Sequence, residues 1–109
     1  MTDFDPQEAV SFIIKNSKAH AQAKANRIFL EQYRKTRKAQ LMNQSEAKTD
    51  GQREAYAYAH ADYIEVLNGL KSAVEEEERL KFLLIAAQLR VDVYRTQSAN
   101  NRRQDGAAQ

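Results

Sequence analysis

Residues 79–95 read RLKFLLIAAQLRVDVYR. The stretch has no Gly or Pro, and its apolar residues recur at steps of three and four, so it is a helix. They occupy more of the circumference than one neighbouring helix can cover. Val66, Leu70, Ala73, Glu77, Leu80, Leu84, Ala87, Val91 and Tyr94 alternate steps of four and three and form one seam, interrupted by Glu77. Phe82, Ile85, Ala86, Leu89 and Val93 form a second stripe on a different side. One side meets another helix of the same chain. The other needs a second chain, and the expected assembly is a homo-oligomer, a dimer first of all, with a four-helix core. The alternative is a first helix that breaks in two and wraps both sides.

The rest of the chain agrees with an all-α fold. Its 109 residues suffice for one domain. Gly and Pro are scarce, while Ala, Gln, Lys, Arg, Glu and Leu, all good helix formers, abound. In DPQEAV, Asp5 caps, Pro6 takes the first helical position and Glu8 completes a capping box. Helix one is predicted over about 6–47. The TDG of residues 49–51 is the one strong interior turn signal. Helix two follows over about 52–98; near Ala61 and Asp62 two readings stay open, a break where Asp62 and Glu65 repeat the capping pattern or one continuous helix that carries Asp62 inside it. The architecture is thus a long antiparallel helical hairpin forming one domain over 1–98. Residues 99–109 are polar and read as a flexible tail.

Helix one carries an apolar seam of Val10, Ile14, Ala21, Ala25, Ile28 and Phe29. This seam is expected to face helix two. Roughly opposite, His20, Lys24, Arg27, Glu31, Arg34 and Lys38 recur at three or four, widened by Lys35 and Arg37. The charge distribution is uneven. Residues 15–38 hold eight Lys or Arg and one acid, whereas residues 54–78 hold seven acids and one Lys. A basic stripe of this kind, expected to be solvated, can contact phosphates of DNA or RNA. Arg53, Tyr56, His60 and Tyr63 share a face on which unpaired bases could stack. The nucleic-acid candidates are therefore Lys24, Arg27, Arg34, Lys35, Lys38, Arg53 and Tyr56.

Several classes of function are not indicated. The chain has no cysteine, which excludes disulfides and thiol chemistry. Its two histidines, His20 and His60, lack partners at metal-ligand spacing, and consecutive carboxylates in the EEEER of residues 75–79 point in different directions. No phosphate loop or nucleophile elbow is present. No catalytic residue, metal or cofactor is expected, and no enzyme. No signal peptide or membrane span is read, which fits a cytoplasmic protein.

Residues 53–102 resemble small helical proteins encoded by tailed phages and prophages. The matching features are AYAYAH at 55–60 with Tyr63, the spacing of Leu67, Ala73 and Val74, and VYRTQSANNR at 93–102. Relatives would carry Trp at the position of Tyr94 and Pro at that of Ala61. The resemblance implies residence in a bacterial host and a place among recombination and replication functions. The functional expectation is a non-enzymatic accessory that binds nucleic acid or a DNA-metabolism protein through the basic face. The alternative is a pure protein-interaction module acting on a host or phage protein.

Overall fold

The structure is a computed structural model that describes residues 4–108. These residues form three α-helices and no strand: α1 over Pro6–Gln44, α2 over Asp50–Ala59 and α3 over Ala61–Ala108. Each boundary has a local cause. Asp5 starts α1, its Oδ1 accepting the Gln7 backbone N–H at 2.9 Å. At the other end, Ser45 Oγ accepts from the Ala47 backbone N–H at 3.1 Å and draws the chain out of the helix. Helix one therefore ends three residues before the predicted Ala47.

Helix α2 begins earlier than the sequence suggests. Thr49 caps it by accepting the Gln52 backbone N–H at 3.2 Å, so Asp50 and Gly51 are helical. Thr49 and Gln52 stand at capping-box spacing, a start signal that the TDG turn reading concealed. Of the two readings of the stretch near Ala61 and Asp62, broken or continuous, the structure has the break, at His60. His60 has extended backbone angles (φ −71°, ψ 139°), and its Nδ1 accepts the Asp62 backbone N–H at 3.0 Å. It is the cap of α3, a role the sequence had assigned to Asp62. Helix α3 then runs on to Ala108, where a frayed tail was predicted. Residues 99–108 contain no Pro and only one Gly, so nothing in them terminates a helix already formed.

Contacts group into two compact units, one of residues 21–78 and one of residues 4–20 with 79–108. In the first, α1 and α3 run antiparallel: Arg27 meets Glu77 while Arg37, further along α1, meets Asp62, earlier in α3. Leu41, Ala57 and Tyr63, from the three helices in turn, form its core, with Met42 packed against it. Leu41 is fully buried. In the second unit, Phe4 lies 5.0 Å from the Tyr94 ring, centroid to centroid, and the Arg90 guanidinium stands 5.4 Å from the Phe4 ring centroid.

Candidate interaction surfaces

The covered side of α3 is the predicted seam as far as Val91, while its last member, Tyr94, is exposed. Ala73 and Leu80 are buried, as is Tyr63 one step earlier, while Val66, Leu70, Glu77, Leu84, Ala87 and Val91 are half-buried. The covered side of α1 is not the predicted one. Ile13, Asn16, His20, Ala23, Arg27, Leu30, Arg34, Arg37 and Leu41 also alternate steps of three and four, and all are at least half-buried. The apolar stripe meant for that role lies outside. Val10, Ala21, Ala25 and Ile28 are exposed, and Ile14 and Phe29 retain 67% and 61% of their accessible surface.

Ion pairing explains the reversal. Glu77 interrupts the α3 seam, and a carboxylate there needs a cation from the facing helix. Arg27 supplies it through two hydrogen bonds, Nε to Oε1 and Nη2 to Oε2, the latter 3.3 Å long. Its Nη1 also donates to Glu31 at 3.0 Å. These carboxylates, Glu77 foremost, hold Arg27 above its already high proton affinity. Arg37 pairs with Asp62, and Lys38 Nζ lies 3.4 Å from Glu54 Oε1 and 4.6 Å from the Tyr58 ring centroid. Tyr58 first, then Glu54, raise the Lys38 pKa. The long methylene stems of these cations cover apolar surface that alanines alone would leave thinly packed.

The seven nucleic-acid candidates are consequently scattered among different tasks. Arg27 and Lys38 are engaged in pairs within the chain, and Arg34 is half-buried. Arg53 donates its Nε to the Ala47 carbonyl at 2.8 Å and closes the α1–α2 loop. Lys24, Lys35 and Tyr56 are exposed. The proposed stacking face is likewise dispersed: His60 caps α3, Tyr63 is in the core, and Tyr56 stands edge-on to His60 at 5.6 Å.

The second α3 stripe lies open. Phe82, Leu89 and Val93 keep 61%, 57% and 55% of their accessible surface, and Ile85 and Ala86 are also exposed. Beside it, Phe4, Glu8, Phe12, Leu83, Ala86 and Arg90 border an open groove of about 320 Å³. Among the described residues no cluster of three or more His, Asp or Glu could hold a metal ion, and no helix is long and apolar enough to cross a membrane.

No protein-family model, curated protein or solved structure matches this chain.

Proposed function

We propose that this chain is a non-enzymatic protein-interaction module that works through the outer face of α3, without a cofactor. The observation that carries this reading is the exposure of Phe82, Ile85, Leu89 and Val93 along one stripe. Fully burying such a side chain is worth about 1.5–3 kcal/mol, so a partner covering four of them gains several kcal/mol. A contiguous apolar stripe of this kind marks a docking surface. The resemblance of residues 53–102 to phage proteins supports a phage-type accessory in the bacterial cytoplasm.

Phosphate binding is the weaker reading. It needs cations available to a ligand, and most of the stripe that motivated it is committed within the chain; Lys24 and Lys35 are what remains exposed.

A photoactivatable residue at position 89 tests the module. It is irradiated in nuclease-treated lysate of the producing cells, with a control at exposed Gln104. A discrete protein adduct at 89 and none at 104 is the expected result. Absence of any adduct at 89, together with tight binding of the purified chain to DNA or RNA, would overturn it.

A further inference from the structure

We infer that the occupant of the α3 stripe is the α3 stripe of a second copy, antiparallel, with the two-fold axis at the Ala86–Ala87 bond. The inference rests on the interaction reading above and names its partner.

Charge placement along the helix selects this arrangement. Lys81 stands five residues before Ala86, and Asp92 stands five after Ala87. At 100° per residue both lie on the same flank of the stripe. A two-fold axis across the helix brings like flanks together, so Lys81 of each copy meets Asp92 of the other. Arg95 already reaches Asp92 on this flank, Nη2 to Oδ1 at 3.8 Å. A parallel two-fold pairing sets each flank against the opposite flank of the other copy, which near Lys81 carries Arg79 and Leu83, so the Lys81–Asp92 match is lost.

Shape agrees with charge. About this axis Phe82 falls between Leu89 and Val93 of the other copy, large against medium. The small Ala86 lies at the centre, where the helices approach most closely. The surface is self-complementary, as a closed dimer requires.

Light scattering on the full chain at micromolar concentration gives the test. The expected mass is twice 12.5 kDa. Lys81→Glu weakens association at least tenfold, and Lys81→Glu combined with Asp92→Lys restores it to within about threefold, as reciprocal charge pairs require. The chain has no cysteine, so single introduced cysteines report geometry. Ala86→Cys forms an interchain disulfide, and Val93→Cys does not. A helical monomer at that concentration, a double variant no tighter than Lys81→Glu, or equal cross-linking at 86 and 93 each overturns the inference. Its failure is separable from that of the interaction reading. A monomer whose position-89 adduct contains a different protein loses the second copy and keeps the module; a monomer with no adduct loses both.

Discussion

Arg27 and Glu77 face each other at positions that a helical pair ordinarily gives to apolar side chains. Each sits on the heptad seam of its helix, and each is partly withdrawn from water. Taking two charges out of water is expensive, and their attraction returns that cost only while both are present. Arg27→Met alone is therefore expected to lower the midpoint of thermal unfolding, because Glu77 loses its principal counter-ion. Arg27→Met with Glu77→Leu is expected to unfold at or above the wild-type temperature. A double variant less stable than wild type would show that the pair contributes net stability.

Leu41→Ala tests the small core where the three helices meet. Leu41 is fully buried against Ala57 and Tyr63. The substitution is expected to cost about 2–5 kcal/mol, measured by urea unfolding. An equivalent change at exposed Leu89 is expected to cost far less in the monomeric chain.

Gly69→Ala is expected to stabilise. Gly69 lies inside α3, and a Cβ there would meet only Leu30 Cδ1, at 4.0 Å, an ordinary contact. Removing glycine's excess backbone freedom is worth about 0.5–1 kcal/mol. Urea unfolding checks the gain, and a loss would indicate that the α1–α3 approach is tighter than this spacing allows.

His60→Ala and His60→Ser separate the imidazole's role as a cap from any other. Ala leaves the Asp62 backbone N–H without its acceptor and is expected to cost about 1 kcal/mol. Ser at the same position supplies a hydroxyl acceptor and is expected to recover most of that. Amide exchange in the first turn of α3 reads the difference locally.

The Lys38 contacts give a pH dependence of known sign. Tyr58 and Glu54 raise its folded-state pKa, so its contribution to stability is present in full below the unfolded lysine value of about 10.4. It is lost as pH rises through the higher folded value. The difference in unfolding midpoint between wild type and Lys38→Met is expected to be constant up to about pH 10 and to shrink above it. A difference that shrinks on acidification first would point to Glu54 as the controlling group.

The all-α class and the two-sided character of α3 were legible because large apolar side chains mark their own period; the break beside Ala61 was one of two open readings, because a capping Asp is also tolerated inside a helix. Helix α1 was legible as a helix but not in its orientation. Its exposed stripe, with Ile14 and Phe29, is more apolar than its covered seam, which mixes Ile13, Ala23 and Leu30 with Asn16, Arg27, Arg34 and Arg37. Hydrophobic spacing alone therefore turns the helix the wrong way. The deciding signal lay in the other helix: Glu77 breaks an otherwise apolar seam and requires an opposing cation, which only the basic side of α1 can provide. The length of α3 was missed for a different reason, since polar composition argues against burial and not against helix.

A polar seam also governs alignment. Two apolar helices can slide past one another by a heptad and still bury Leu against Leu. Here a slip of one heptad would set Arg27 opposite Leu70 or Leu84, leaving it Glu31 of its own helix but no carboxylate on the facing one at that position. Arg37 with Asp62 imposes the same restriction about three turns further along α1. The charges thus act as a key that fits one registration of α1 on α3, trading adhesive strength for uniqueness.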